Sequence, residues 1–150
     1  TVMDADLTHD PYYIRSMMTG LSAGYDVVIG SRYAKGGKQK GVAPYRKILS
    51  RGISIFSWLL FRLPFKDVTS GYRCYKASIL TKIVDTYGPN FIESRGFEVA
   101  FELLIKAHRL EAKITEIPII LDYSKKKGRS KLKIQRTIYN YLKLMNRLRQ

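Results

Sequence analysis

Cysteine is nearly absent from this chain. A single one, Cys74, stands among 150 residues, so no disulfide can close within the chain and no metal site can be built from several thiolates. A reducing, cytoplasmic setting fits that usage. Histidine is almost as scarce, and His9 and His108 lack a spacing that would ligate a metal. Acidic side chains are also few: 12 Asp and Glu stand against 27 Lys and Arg, a formal net charge of +15. An excess of that size calls for an anionic partner, either nucleic acid, an anionic lipid surface or a phosphorylated substrate; a solvated basic face is the plain alternative. No long hydrophobic run is present. The longest, "ISIFSWLLFRLPF", is broken by Arg62 and is too short to span a bilayer. The first residues are acidic, unlike a signal peptide.

What is there is the makings of a core. Hydrophobic residues make up 45% of the chain, enough for a globular domain of this length. "TVMD" reads as the end of a buried strand. "HDPYYIRSMMTGLSAG" reads as a helix, with Asp10 as cap, Pro11 in the first turn and Gly24 as terminator. "YDVVIGSRY" has the β-branched run of a strand buried on both faces, so strand, helix and strand predict a βαβ-like unit with a parallel sheet. "AKGGKQKGVAP" reads as a mobile loop. Helices are expected over 45–63, ended by Pro64, and within "GFEVAFELLIKAHRL", where Phe97, Ala100, Phe101 and Leu104 hold core spacing. "AKITEIPIILDYS" is strand-like. A last helix places Ile134, Ile138, Tyr141, Leu142, Met145 and Leu148 along one stripe. No linker divides the chain, so residues 1–150 are expected to form one α/β domain.

Several clusters carry chemical meaning. Asp4-Ala5-Asp6 puts two carboxylates two residues apart, which on a strand share a face and can converge on Mg²⁺ or Mn²⁺. A pair of surface carboxylates at a strand end is the alternative. In "GSRY", Arg32 can grip a phosphate and Gly30 lets backbone come close. Arg46 and Ser50 share a helix face, with Arg51 beside them, near a helix amino end that favours anions. "DVTSGYR" supplies Asp67, Thr69, Ser70, Gly71 and Arg73 in a polar turn. Glu98 and Glu102 stand one helical turn apart, with Glu102 expected on the polar edge of its helix. "KKKGRSK" sets five cations around Gly128, as in a phosphate clamp or a basic loop touching lipid or RNA.

Taken in order, Asp-Ala-Asp-Leu-x-His, Gly-Ser-Arg-Tyr, Arg-Lys-x-x-Ser-Arg-Gly, Asp-x-Thr-Ser-Gly-Tyr-Arg, Gly-Phe-Glu and Gly-x-Ser-Lys-Leu resemble the dolichol-phosphate mannose synthases. More broadly, they resemble the family 2 polyprenyl-phosphate glycosyltransferases of GT-A fold. The resemblance runs from Val2 to about Leu132. It implies a Rossmann-like, nucleotide-diphospho-sugar transferase fold, of which this chain would be a part without the amino-terminal nucleotide-binding half. It implies transfer of a sugar, mannose from GDP-mannose, to dolichyl or polyprenyl phosphate with inversion. Asp4 and Asp6 would hold Mg²⁺ or Mn²⁺ on the donor diphosphate, with Ala5, Lys125, Arg129 and Lys131 also on the donor. Arg32, Arg46 and Ser50 would hold the acceptor phosphate, and Asp67, Ser70, Gly71 and Glu98 would shape the sugar site. Asp6 and Arg32 would be the catalytic pair. Lys125 stands where the family pattern has an arginine, which keeps the charge but loses the two-pronged grip.

A lipid acceptor implies work at the cytoplasmic face of a membrane, peripherally for the chain as given. The segments about 45–63 and 134–149 are expected to be interfacial amphipathic helices. A following transmembrane segment or an anchoring partner subunit would add to that hold. Three rivals remain: a glucosyltransferase using UDP-glucose, a basic nucleic-acid-binding module, and a metal-dependent phosphohydrolase. No nucleic-acid fingerprint appears and aromatics do not alternate with cations on a strand, so no nucleic-acid partner is expected.

Overall fold

The structure, a computed structural model, describes residues 1–126 and 134–149. Its main elements are α1 (Tyr13–Ser22), β1 (Val27–Ser31), β2 (Lys38–Lys40), α2 (Pro44–Phe61), β3 (Arg73–Tyr75), α3 (Ala77–Tyr87), α4 (Val99–Arg109), β4 (Ile114–Pro118), β5 (Ile120–Asp122) and α5 (Ile134–Arg149). The run "VVIGS" becomes the central strand, and all five of its residues are buried. It lies between β3, which is antiparallel to it, and β4, which is parallel.

Alternation along β1 sorts the core into two sides. Val28 packs with Met17 of α1, Tyr72, Cys74 and Ile119. Ile29 packs with Phe101 and Leu104 of α4 and with Tyr141, Met145 and Leu148 of α5. Val27 meets Ile79 and Ile83 of α3 and Ala107 of α4. The layers are thus α1, a mixed sheet, and α3, α4 and α5.

Several expectations need correction. "TVMD" forms only an isolated antiparallel bridge from Val2 to Arg73, so it is not the first strand of a βαβ unit. The parallel neighbour of β1 comes instead from β4, far along the chain. The 34–44 stretch is no featureless loop, because Lys38–Lys40 pair in parallel with β5. Helix α2 closes through Arg62, which adopts the left-handed conformation (φ 53°) and donates its N–H to the Trp58 carbonyl. Pro64 merely follows. Gly24 does end α1, at φ +103°.

Helix α2 leaves much of its apolar surface in water. Its buried residues are Ser50, Ser54 and Ser57, whereas Ile48, Ile55, Trp58 and Leu59 are each more than half exposed. The inward hydroxyls are satisfied locally: Ser54 donates to the Ser50 carbonyl (3.1 Å) and Ser57 to the Ile53 carbonyl (2.6 Å). Ile53, Leu60 and Phe61, partly buried, pack against the core beside these serines, so α2 carries apolar side chains on both faces. The stripe expected on α5 also splits. Tyr141, Met145 and Leu148 are buried, but Ile134, Ile138 and Leu142 are exposed.

Glu102 is not on a polar edge; it is fully buried. Its carboxylate accepts the backbone N–H of Ser94 (2.9 Å), the Lys106 ammonium (2.8 Å) and Arg147 Nη2 (2.9 Å). Burial alone would raise its pKa, but Lys106 and Ser94 hold it below the ordinary value. Lys106 also donates to the carbonyls of Asn90 (2.5 Å) and Phe91 (3.2 Å). The network thereby ties the chain around residues 90–94 to α4 and α5.

Gly37 permits another close approach. A Cβ there would lie 2.6 Å from the Ser31 carbonyl oxygen and 2.8 Å from Arg32 backbone atoms. Backbone cannot swing aside as a long side chain can. Gly37→Ala is therefore expected to destabilise the chain by about 1–3 kcal/mol, the usual cost of overpacking. A denaturant midpoint unchanged from the parent would contradict this.

Candidate active site

The carboxyl end of β1 delivers Arg32 to a cavity of about 140 Å³. Its lining mixes polar groups, Asp4, His9, Arg32, Arg46, Ser50, Thr69, Ser70 and Gly71, with apolar ones, Val42, Leu49, Ile53, Phe97 and Leu121. The cavity is below the roughly 300–1,000 Å³ usual for small-molecule sites; its size suits a phosphate group better than a nucleotide sugar.

Arg32 is held from beneath. Its Nε donates to Asp67 Oδ2 (2.7 Å), and its Nη2 donates to Asp67 Oδ1 (2.6 Å) and Thr69 Oγ1 (2.7 Å). The Arg32 backbone N–H reaches Asp67 as well (2.8 Å). Asp67 is fully buried, and its own N–H is received by Glu116 (2.8 Å). The fork expected to grip a ligand phosphate is thus occupied by Asp67, and Nη1 remains as the donor without a partner among the described residues. Asp67, expected at a sugar site, is instead the support under Arg32. Ser70 donates to the Gly30 carbonyl (2.6 Å), which seats the 67–71 turn on the end of β1.

Across the cavity, the Arg46 guanidinium packs over the rings of Tyr45 and Tyr123, 5.7 and 5.6 Å from their centroids. Its Nη1 donates to the Tyr123 hydroxyl (3.2 Å). Ser50 shares a very short hydrogen bond with the Tyr33 hydroxyl. His9 is buried, stacked on Tyr72 at 4.8 Å, and its Nδ1 accepts the Asp4 N–H (3.2 Å). Burial lowers its pKa, against the pull of nearby Asp4.

The two aspartates part company. Asp4 lines the cavity with a largely exposed side chain, whereas Asp6 does not line it. Asp6 accepts from the Thr8 hydroxyl (2.5 Å) and N–H (3.2 Å), and it pairs closely with Lys126. Partial burial would raise its pKa, but Lys126 and Thr8 outweigh that and hold it at about 2, below the ordinary 3.8. The folded state therefore favours the carboxylate. That contribution is complete above pH 3.8 and disappears as pH falls through about 2. In acid unfolding between pH 4 and 2, Asp6→Asn is expected to show a shallower loss of stability than the parent; parallel curves would contradict this.

Oxygen donors of this kind suit Mg²⁺ or Mn²⁺, which keep waters and take phosphate oxygens. Among the described residues no group of three or more His, Cys, Asp or Glu is placed to hold a metal, so the protein's share would be the aspartate pair. Two carboxylate ligands suit such an ion by chemistry, but the ammonium of Lys126 already rests on Asp6, so a metal on both aspartates would have to displace it.

Other expected residues lie elsewhere. Glu98 is buried, accepts from Asn140 Nδ2 (3.2 Å) and lines an adjoining recess with Arg95 and Arg136, which shares Phe97 and Thr137 with the cavity. Lys125 lines a recess with Thr8, Asp10 and Asp122, and Ala5 is exposed beside the aspartates. Arg129 and Lys131 fall outside the described residues. Tyr123 went unforeseen, and in the sequence Thr69 and Lys126 stand only as members of their clusters. A rule for runs of cations cannot say which one of them folds back to an acid.

The glycosyl transferase family 2 model matches residues 1–84, a span holding the aspartate pair, Arg32, Arg46, Ser50 and the 67–71 turn. This chain belongs to glycosyl transferase family 2. Among its curated relatives is a dolichol-phosphate mannosyltransferase of Pyrococcus furiosus, 34% identical over 98% of this chain and 39% of the relative. A polyprenol monophosphomannose synthase of Mycolicibacterium smegmatis is 32% identical over 78% of this chain and 43% of its own length. An undecaprenyl-phosphate mannosyltransferase of Micrococcus luteus is 33% identical over 78% and 46%. The chain thus spans less than half the length of these family 2 relatives. Its mixed α/β architecture agrees with part of the expected GT-A fold. Among the described residues no helix is long and apolar enough to cross a membrane.

Proposed function

We propose that this family 2 protein transfers mannose from GDP-mannose to a polyprenyl or dolichyl phosphate, with inversion at the sugar. The observation that carries this reading is the mixed lining of the cavity. Arg32, Arg46 and Ser50 line it together with Leu49, Ile53 and Phe97. A ligand with an anionic head and a hydrocarbon tail matches both.

The acceptor phosphate is largely ionised near neutral pH, its second pKa being about 6. It therefore needs placement rather than deprotonation, and cations that fix it in line with the sugar supply that. Buried His9, with its pKa lowered, acts through Asp4, whose N–H it accepts. The metal held by Asp4 and Asp6, Mg²⁺ or Mn²⁺, would offset the charge that grows on the departing diphosphate. The relatives' names specify polyprenyl, dolichyl and mannosyl chemistry, and these support acceptor class and sugar. The outward apolar residues of α2 support work at a membrane surface; the cytoplasmic side is part of the proposal and rests on the family resemblance alone.

In a transfer assay on the full-length protein, GDP-mannose and UDP-glucose would compete for a short polyprenyl phosphate. Mannosyl lipid is the expected product. Product formed from UDP-glucose alone would overturn the donor assignment.

A further inference from the structure

A second cavity, of about 470 Å³, opens on the other side of α2. Ile55, Trp58 and Phe65 form an apolar wall, and Arg51 and Lys66 stand as two cations along it. The volume falls in the range of small-molecule sites. It is separate from the candidate active site: the hydrogen bond between Tyr33 and Ser50 lies between them, with Ser50 lining one cavity and Tyr33 the other.

The charges there are uncommitted. Among the described residues no acidic side chain lines this groove. Among the described residues neither Arg51 nor Lys66 makes an ion pair; Arg51 lies over the Tyr33 ring at 5.2 Å. The nearby Glu116 carboxylate accepts the backbone N–H groups of Lys66 (3.0 Å) and Asp67 (2.8 Å). Trp58 and Ile55 are 57% and 62% exposed, a cost in water that a hydrocarbon chain would remove. Two cations over an apolar trough, in a chain of net charge +15, select an occupant with one anionic head and an acyl chain.

We propose that this groove binds a single anionic phospholipid, its headgroup between Arg51 and Lys66 and an acyl chain against Ile55, Trp58 and Phe65. The bound lipid is a ligand distinct from the acceptor. The inference does not depend on which sugar is transferred.

Trp58 is the sole tryptophan among these 150 residues, so with every tryptophan outside them replaced by phenylalanine its emission reports on the groove directly. Monomeric short-chain phosphatidylglycerol, which offers no surface, is expected to shift that emission to the blue and saturate. Phosphatidylcholine of equal chain length should bind more weakly. Arg51→Glu with Lys66→Glu should weaken the phosphatidylglycerol response by at least about 30-fold, given a factor of roughly five per cation near an anionic headgroup. Both positions are exposed, so the variant should fold. Arg15→Glu with Lys82→Glu makes the same charge change on α1 and α3 and should matter far less. Equal responses to the two lipids, equal weakening by the control pair, or a shift with vesicles only would each overturn the proposal. So would inorganic phosphate competing as well as the lipid, because the site would then be one for anions alone.

Discussion

Asp6→Asn is expected to lower sugar transfer by about 10²–10³-fold in the full-length protein while leaving it folded. The size follows from what is lost: one preorganised negative group that seats charge opposite the leaving diphosphate, comparable to removing a single donor from an oxyanion hole. Folding should survive, because the pair with Lys126 is partly exposed on both sides, and such pairs contribute about 0–1 kcal/mol. The change also frees Lys126 from its partner, so a second readout separates the roles. Activity titrated with Mn²⁺ should need much more metal in the variant if Asp6 is a ligand. Near-parental activity at the parental metal requirement would sink the assignment.

The larger structural effect is expected at Asp67. Asp67→Asn removes the charge that receives Arg32 Nε, Nη2 and backbone N–H together. Removing one partner of a buried pair costs about 3–5 kcal/mol, because the other charge stays buried and uncompensated. Arg32 keeps slight exposure, so the lower end of that range is expected, read from the urea midpoint at unchanged slope. Combining Asp67→Asn with Arg32→Met should recover part of the loss, since the orphaned charge goes too. A single-variant loss below about 1 kcal/mol would show that the pair is not what holds this end of β1. Transfer should fall in both variants, through displacement of Arg32 in the single one and its loss in the double.

Much of this was legible in the residues. "VVIGS" announced a strand buried on both faces, and every residue of β1 is buried. Arg46 and Ser50, one helical turn apart, do line the same cavity, and so do Ser70 and Gly71. What failed was whatever depends on distant partners. Nothing in "FELLIKAHR" says that Glu102 will be enclosed by backbone N–H groups from residue 94 and by Arg147 of another helix. Arg32 looked like a free phosphate grip because Asp67 is 35 residues away. The strand at "TVMD" was misjudged because a short apolar run gives no sign of its pairing partner, and only Val2 finds one. Spacing rules see one element at a time; buried charge is settled between elements.

The seating of α2 has a consequence for how this protein should be handled. A helix that packs Ile53, Leu60 and Phe61 on the core but leaves Trp58, Ile48 and Leu59 in water forgoes part of what expelling water could give it. Most helices draw their anchorage from within the molecule; this one leaves a share of that driving force to its surroundings. Its position should therefore tighten in amphiphile and loosen in dilute buffer. A melting temperature measured for this chain describes the solvent as much as the fold.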